Sequence, residues 1–330
     1  KNGEHDMTPP EYQIFSLGSN PQLATEIAQI LDIELSTIDV KQFADNEIYE
    51  RIHQTVRGRD VYVIQGITEP VNDNFMKLMI FIDAARRASA RTINVVIPYF
   101  GYARSDRKAR SREPIVARLI ANMLESQGVK RVITLDLHAD QVQGFFDIPV
   151  DHLISMPALG HYFYANQLLG DDLVVVAPDH ASVSRARKFA KLLHAEWAVV
   201  DHRTEEKVTN KPDSVTGNVK GKRAILLDDI IDTGSSMMVA SQALVAAGVT
   251  ELYAVAPHAV LSDHAVSKLE NSAIKRVLVT NSIEVPETKQ FNKLTQISVA
   301  EPFAEAIKRV AACESIEDIL KSPDNLDVKL

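Results

Sequence analysis

The sequence predicts an α/β protein built from mostly parallel sheets flanked by helices. Short apolar stretches that read as buried strands alternate with longer stretches of helical periodicity, which is the pattern of strand–helix–strand units. Polar and small residues follow several of these strands, and ligand sites in such folds lie at the carboxyl ends of the strands. The 330 residues suit two domains of ordinary size.

Six apolar stretches and four helical stretches carry this prediction. The strands are expected at 61–65, 93–97, 132–136, 173–177, 224–228 and 252–256. The helices are expected at 73–88, 113–126, 182–194 and 237–247.

The two halves of the chain share one plan. Residues 58–98 run from a basic turn through a strand, a long helix and a second strand into the tripeptide IPY at 97–99, and residues 221–257 repeat this order into APH at 256–258. We therefore predict a duplicated α/β domain with its boundary near 155–157. Two unrelated α/β domains are the alternative, because sequence identity between the halves is low.

Composition and net charge argue against two classes of binding partner, nucleic acids and membranes. The chain has 45% apolar and 24% charged residues and a formal net charge of −8, which argues against a general nucleic-acid binder. It has no apolar run long enough to span a bilayer and no visible secretory signal. Its single cysteine, Cys313, cannot form an intrachain disulfide. We expect a cytoplasmic protein that binds neither nucleic acid nor membrane.

The most informative segment is ILLDDIIDTGSSMM at 225–238. An apolar strand leads into a turn with three aspartates, small residues follow, and helical periodicity resumes at Met237. The backbone N–H groups of such a loop and of the next helix start form a phosphate cradle. Carboxylates beside it repel phosphate but suit sugar hydroxyls or Mg²⁺. The segment indicates a site for a phosphorylated sugar; the alternative is an acidic turn in which Asp232 caps the helix.

A basic loop follows another predicted strand. The segment IPYFGYARSDRKARSR at 97–112 carries five Arg and Lys residues next to three aromatic ones. Arginine grips phosphate oxygens with a planar fork and can lie against a purine. The aromatic neighbours favour a nucleotide pocket over the alternative, a solvated basic loop.

Three weaker signals stand on other loops. His138 follows a strand end and is either a metal or phosphate ligand or a structural residue. Asp179 either holds Mg²⁺ together with His138 or caps the next helix. Phe43, in the segment FADNE, has no evident core role, and an aromatic side chain there could stack on a base.

Taken together and in this order, four segments resemble the ribose-phosphate diphosphokinases, also called PRPP synthetases, over roughly 12–319. They are PYFGYARSDRK, DLHADQVQGFFDIP, APD with the following RAR, and DDIIDTGSS. A phosphoribosyltransferase would share only the last one. The resemblance implies two tandem type I phosphoribosyltransferase-like domains at 1–155 and 156–309, with 310–330 packing back on the first.

The resemblance also implies a reaction. Such enzymes transfer the β,γ-diphosphoryl group of MgATP to the anomeric hydroxyl of ribose 5-phosphate, which gives 5-phosphoribosyl 1-diphosphate and AMP for nucleotide biosynthesis. Mg²⁺ is the implied cofactor, inorganic phosphate the implied activator and ADP the implied inhibitor. A hexamer built from dimers, with active sites shared between subunits, is implied as well.

The resemblance assigns roles to particular residues. Ribose 5-phosphate would be bound by Asp228, Asp229, Asp232, Thr233, Gly234, Ser235 and Ser236. ATP would be bound by Phe43, Asp45, Glu47, Arg104, Ser105, Asp106 and His138, and Mg²⁺ by His138 and Asp179. His202 and Arg203 would be catalytic, and an allosteric site would include Thr55, Arg57, Arg87 and Ser89.

The catalytic loop departs from the family pattern. That loop usually reads Asp-Lys-Arg-Arg, whereas VVDHRT at 199–204 places His202 where the catalytic lysine is expected. Losing one such donor typically costs on the order of 10²–10³ in rate. Three possibilities follow: an active enzyme in which protonated His202, Lys207 or Lys211 substitutes, a regulatory homologue without turnover, or a diphosphokinase with another sugar-phosphate acceptor.

Overall fold

The structure, a computed structural model, describes residues 12–201 and 214–320. Within these residues the chain forms two compact units. The first unit comprises the chain up to His152 together with Ala300–Ile316. The second comprises Leu153–Val299 together with the chain from Glu317 onward.

The described residues form strands and helices in alternation. The strands are β1 (Tyr12–Ser16), β2 (Ile38–Gln42), β3 (Ile48–Ile52), β4 (Asp60–Ile64), β5 (Thr92–Ile97), β6 (Arg131–Leu135), β7 (Val150–Leu153), β8 (Leu173–Ala177), β9 (Glu196–Asp201), β10 (Ser214–Thr216), β11 (Arg223–Leu227), β12 (Ile230–Ile231), β13 (Glu251–Ala256), β14 (His258–Ala259), β15 (Arg276–Thr280) and β16 (Leu294–Ile297). The α-helices are α1 (Pro21–Ile30), α2 (Val71–Arg87), α3 (Val116–Ser126), α4 (Met156–Ala165), α5 (Val183–Leu192), α6 (Ser235–Ala246), α7 (Ala265–Glu270), α8 (Ala300–Ala311) and α9 (Glu317–Leu320). Short 3₁₀ helices span Asp140–Phe145 and Glu287–Lys289.

The first unit is built on a five-stranded sheet of order β1-β4-β5-β6-β7, in which β1, β4, β5 and β6 run parallel. In β4 both the odd and the even residues after Asp60 are buried, so both faces of this strand are covered. Val61 and Val63 lie in one apolar cluster with Phe81 of α2 and Ile120 of α3. The helix α8 packs against α1.

A separate hairpin of β2 and β3 lies against α2. Ile38 pairs with Ile52 and Gln42 with Ile48, and the side chains of β3 alternate between half-buried and exposed. Such alternation is typical of a ribbon with one covered face. The turn of this hairpin carries the FADNE segment at 43–47, and Asn46 adopts a φ of 70° there.

The second unit is built on a seven-stranded sheet of order β10-β9-β8-β11-β13-β15-β16. The strands β9 and β10 pair antiparallel, and the other neighbours are parallel. Leu226 of β11 lies in an apolar cluster with residues of α6 and α7, whereas Ile225 and Leu227 lie in a cluster with residues of α4 and α5. Helices therefore cover both faces of the sheet, because successive side chains of a strand point to opposite sides.

These observations confirm the predicted fold class of mostly parallel sheets flanked by helices. The largest shift from a predicted boundary is at the start of α3. The helix α3 begins at Val116 rather than near 113, because Glu113 Oε2 accepts the backbone N–H groups of Ala109 and Arg110 at 2.9 and 2.8 Å and Pro114 follows it. No helix in 12–201 or 214–320 has both the length and the apolar character needed to cross a membrane.

The C-terminal segment is divided between the two units. Ala300–Ile316 groups with the first unit and α9 with the second. The helix α8 buries Phe303, Ala304 and Ile307, whereas no residue of α9 is buried. The packing of 310–330 as a whole on the first domain stays a prediction. Residues 321–330 lie outside the described residues.

Gly101 lies at the contact between the loops that follow β4 and β5. The N–H of Ile67 donates to the carbonyl of Tyr99 at 3.0 Å, so the two loops touch through their backbones. A Cβ atom added to Gly101 would collide with the Ile67 carbonyl oxygen and would lie 2.7 Å from Ile67 Cγ2. Only glycine fits this contact without moving one of the loops.

We expect Gly101→Ala to lower the free energy of unfolding by about 2 kcal/mol, since the backbone of one loop must shift. The measurement is urea unfolding of both proteins at one protein concentration. Gly144→Ala is the matched control, because an added Cβ there has nothing within 4 Å. Equal unfolding midpoints for Gly101→Ala and the wild type would contradict the contact.

Candidate active site

The turn between β11 and α6 is the centre of the candidate site. It holds Asp228 and Asp229, the short strand β12, and then Asp232 to Gly234 before α6 begins at Ser235. Gly234 adopts a φ of +72°, a left-handed conformation that residues with a side chain rarely take. The turn therefore aims the amino-terminal end of α6, with its backbone N–H groups and positive helix dipole, into the loop.

The two adjacent aspartates are held by neighbouring groups. Asp228 Oδ1 accepts a hydrogen bond from Ser182 Oγ at 3.1 Å and another from the N–H of Asp229 at 2.9 Å. Arg185 Nη1 lies 3.7 Å from Asp229 Oδ1. Burial, followed by the charge of Asp229, raises the pKa of Asp228 to about 7. Near neutral pH the pair therefore holds less than two full negative charges, and a bound cation or hydroxyl donor would favour the ionised form.

A second segment, residues 258–268, supports the turn from one side. The strand β12 pairs in parallel with β14, and Leu261 N donates to Ile231 O at 3.0 Å. Ser262 N donates to Asp232 O at 3.1 Å, and Ser262 Oγ donates to Asp232 Oδ1. The carboxylate of Asp232 is thus engaged by the supporting segment.

Asp179 lies on the turn that precedes α5. Its Oδ1 accepts the N–H of Ser182 at 2.9 Å, and Ser182 is the residue immediately before α5, so this bond stabilises the turn that leads into the helix. The same Ser182 binds Asp228 through its hydroxyl, so the Asp179 turn and the acid pair share one serine. Asp179 and the acid pair are therefore linked within the second unit.

The basic loop lies between β5 and α3 in the first unit. Arg104 is exposed and Asp106 is half-buried. Ser105 has a local structural role, because its carbonyl accepts the N–H of Ala117 at 3.2 Å and its Oγ accepts the N–H of Val116 at 3.5 Å. Ser105 thus stabilises the first turn of α3, and the exposed cations project from a loop anchored at this point.

His138 is exposed just beyond β6. The N–H of Leu137, the residue before it, donates to His152 Nε2 at 2.8 Å, and this bond holds the backbone beside His138. His138 and Asp179, the two expected Mg²⁺ ligands, belong to different units. In the described parts of the chain, no group of three or more His, Cys, Asp and Glu residues is gathered as a metal site.

The hairpin tip presents an exposed aromatic ring. Phe43 is 54% exposed, and its ring centroid is 6.3 Å from that of Tyr49. Asp45 Oδ1 accepts the N–H of Glu47 at 3.1 Å, and Phe43 N donates to Glu47 O at 2.8 Å. The hairpin therefore holds Phe43 outward, where a flat ring can meet another molecule.

The structure brings together part of the expected allosteric set. Arg57 Nη1 donates to Ser89 Oγ at 3.3 Å, and the backbones of Arg57 and Ala90 form an antiparallel bridge. Arg87 Nε instead donates to Asp83 Oδ2 at 2.6 Å. The carbonyl of Thr55 accepts from Gln13 Nε2 at 3.2 Å.

The expected catalytic residues His202 and Arg203, and the lysines Lys207 and Lys211, lie outside the described residues. Sequence reasoning missed four other residues that contact the acidic turn, namely Ser182, Arg185, Ser262 and Lys268. Arg185 stands in the RAR segment that carried part of the resemblance, which is the only signal for it. The remaining three become visible only once the strands are paired.

Comparison with known proteins gives one consistent family. The model for the N-terminal domain of ribose phosphate pyrophosphokinase matches residues 12–128, and the model for the phosphoribosyl synthetase-associated domain matches residues 205–321. The ribose-phosphate pyrophosphokinases of Bacillus subtilis and Bacillus caldolyticus are each 51% identical to this chain, over 92% and 93% of it and 95% and 96% of their own lengths. A crystal structure of phosphoribosylpyrophosphate synthetase from Mycobacterium smegmatis has a TM-score of 0.86 and 38% identity, and covers 92% of this chain and 99% of that one.

The raised pKa of Asp228 predicts how pH affects stability. The folded state binds the Asp228 proton more tightly than the unfolded state does, so this contribution to stability is present below about pH 4 and is lost as the pH rises to about 7. Relative to Asp228→Asn, we expect the wild type to lose thermal stability between pH 4.5 and 8. The measurement is the unfolding temperature of both proteins across this range.

Asp172→Asn is the control, because the stability that Asp172 contributes should depend on pH in the opposite direction. A hydrogen bond from Arg223 lowers the pKa of Asp172 in the folded protein. The contribution of Asp172 to stability is therefore present at neutral pH and is lost on acidification. A difference between wild type and Asp228→Asn that does not change with pH would contradict the raised pKa of Asp228.

Proposed function

The chain belongs to the ribose-phosphate pyrophosphokinase family, and we propose that the turn between β11 and α6 is where it binds ribose 5-phosphate. The reaction is the transfer of the β,γ-diphosphoryl group of ATP to the anomeric hydroxyl of ribose 5-phosphate, with AMP as the second product. The new bond joins the sugar oxygen to the β-phosphorus, and the bond between that phosphorus and the oxygen of AMP breaks.

The observation that carries the proposal is that one short turn holds both the two adjacent aspartates and the amino-terminal end of α6. Asp228 and Asp229 provide acceptors for sugar hydroxyls, and Asp228 already accepts a hydroxyl hydrogen bond from Ser182. A few residues later Gly234 turns the chain so that α6 begins with Ser235 and Ser236. The hydroxyls and N–H groups of this start suit the 5-phosphate. One face of a phosphorylated sugar can therefore meet the acids while its phosphate meets the helix.

The nucleotide would be bound mainly by the first unit. Arg104 and Asp106 on the basic loop are the residues proposed to contact ATP, with Ser105 anchoring that loop. Phe43, held outward on the hairpin, would stack on the adenine of an ATP bound by a neighbouring subunit, with Asp45 and Glu47 beside it. This assignment makes the active site intersubunit and requires a homo-oligomer, for which we propose the hexamer.

Mg²⁺ fits the donor set of the acidic turn. Asp228 and Asp229 are adjacent carboxylates; burial, and after it the charge of Asp229, raises the pKa of Asp228, and a divalent cation shared with water and sugar oxygens would favour the ionised pair. His138 and Asp179 are the residues proposed for a second Mg²⁺ on the ATP phosphates. When bound, the ion would neutralise charge on the diphosphoryl group.

The chain's own residues position the two substrates. Phosphoryl-type transfer depends mainly on in-line positioning and on cations that spread negative charge. His202 and Arg203 are proposed to supply positive charge to the transferring group. A diphosphate in contact with His202 would favour its protonated form.

Regulation is proposed on a separate set of residues. Thr55, Arg57, Arg87 and Ser89 would bind inorganic phosphate as activator and ADP as inhibitor. The contact between Arg57 and Ser89 supports this grouping, because it places a guanidinium and a hydroxyl side by side at the surface.

The activity test follows AMP and 5-phosphoribosyl 1-diphosphate together, with ATP, Mg²⁺, ribose 5-phosphate and inorganic phosphate present. We expect equal amounts of both products from the wild type. Asp228→Ala should reduce turnover by at least about 10²-fold, because the sugar loses a positioned acceptor. Asp171→Ala, an exposed aspartate before β8, should keep wild-type turnover. Full activity of Asp228→Ala would refute the assignment of the turn.

The departure at residue 202 has its own test. A lysine carries its charge at neutral pH without help from the substrate, so we expect His202→Lys to raise kcat and to weaken the dependence of kcat on pH between 6 and 8. The measurement is the pH profile of kcat for both proteins. An identical profile and rate would mean that His202 does not supply charge to the transferring group.

A further inference from the structure

We propose that Lys268 is a positioning residue for the turn at Thr233 to Ser235, where it presents the hydroxyl of Ser235 to the phosphate of the sugar. The proposal rests on the proposed function of this turn and deepens it. It assigns the affinity for the phosphate end of the substrate to a cation on a different element, α7.

The contacts of Lys268 are directed at the turn. Its Nζ donates to the carbonyl of Thr233 at 3.0 Å and to Ser235 Oγ at 3.3 Å. The side chain is half-buried, so its ammonium group lies against the turn rather than extending into solvent. An ammonium group can only donate, so Lys268 is the donor in both bonds.

These two bonds fix the position of the Ser235 hydroxyl. Ser235 Oγ accepts from Lys268 Nζ and lies within hydrogen-bond distance of Thr233 Oγ1, at 3.1 Å. Because Lys268 can only donate, its bond uses a lone pair of Ser235 Oγ and leaves the O–H available as a donor. Ser235 is exposed at the first position of α6, where an oxygen of a bound phosphate would lie.

The charge of Lys268 has a second consequence. The turn contains Asp228, Asp229 and Asp232, whose carboxylates oppose the approach of an anion. Asp232 is held by Ser262, and Lys268 adds a positive charge beside Thr233 and Ser235. The phosphate end of the turn is thereby made more positive than its sugar end.

The test compares Lys268→Met, Lys268→Arg and the control Lys293→Met. Lys293 is a lysine of the same unit whose Nζ donates to the backbone carbonyls of Leu269 and Ser272 at the carboxyl end of α7, so its loss shows what a weakened α7 alone does to affinity. We expect Lys268→Met to raise the KM and the calorimetric Kd for ribose 5-phosphate about tenfold, as for a lost hydrogen bond to a charged group. The KM for ATP should stay within about twofold, since the hydrogen bonds of the Lys268 side chain go to the sugar turn.

The other two variants complete the comparison. Lys268→Arg should recover most of the affinity, because it keeps a charged donor, and Lys293→Met should match the wild type. Equal Kd values for Lys268→Met and the wild type would overturn the proposal, as would equal losses in Lys268→Met and Lys293→Met.

A double-mutant cycle separates positioning from general stabilisation. If Lys268 acts through the hydroxyl of Ser235, Lys268→Met should cost much less affinity in a Ser235→Ala background than in the wild type. Fully additive losses would overturn the positioning role. Failure of the proposed function looks different, because in that case the wild type itself would neither bind ribose 5-phosphate nor form AMP.

Discussion

The burial and mutual repulsion of Asp228 and Asp229, at the end of a central parallel strand, are the constraint around which the site is built. Two adjacent carboxylates in such a place are unfavourable unless nearby groups offset their charge. Ser182 and the N–H of Asp229 bind one of them, Arg185 lies close to the other, and the pKa of Asp228 is raised nevertheless. The pair is therefore arranged to gain from a cation or from hydroxyl donors, which ribose 5-phosphate and Mg²⁺ would supply.

The same turn is not stable by its local sequence alone. Its backbone pairs with β14, and its side chains are held by Ser262 and Lys268, about thirty residues farther along the chain. Such support from a second segment keeps polar groups in place before a ligand arrives, which reduces the ordering cost of binding. The loop and its supporting segment thus act as one structural element within the second unit.

Each unit places a chemically different loop at the carboxyl end of a strand of its parallel sheet. In the first unit the loop between β5 and α3 is basic, and in the second the turn between β11 and α6 is acidic. The basic loop suits the many charges of ATP, and the acidic turn suits the hydroxyls of a sugar. Keeping opposite charges on separate sheets allows each loop to be formed by its own strand and helix.

The sequence by itself determined the α/β class. Apolar strands that alternate with amphipathic helices can bury their apolar faces in few arrangements other than a sheet covered by helices. It also determined the location of the acidic turn and the family, since DDIIDTGSS and PYFGYARSDRK are local signals. Only the tertiary structure decided that Ser105 anchors α3, that Ser182 binds Asp228, and that Lys268 reaches Thr233 and Ser235. The contacts of Lys268 depend on which strands become neighbours, and strand pairing joins residues far apart in the chain that no local pattern relates.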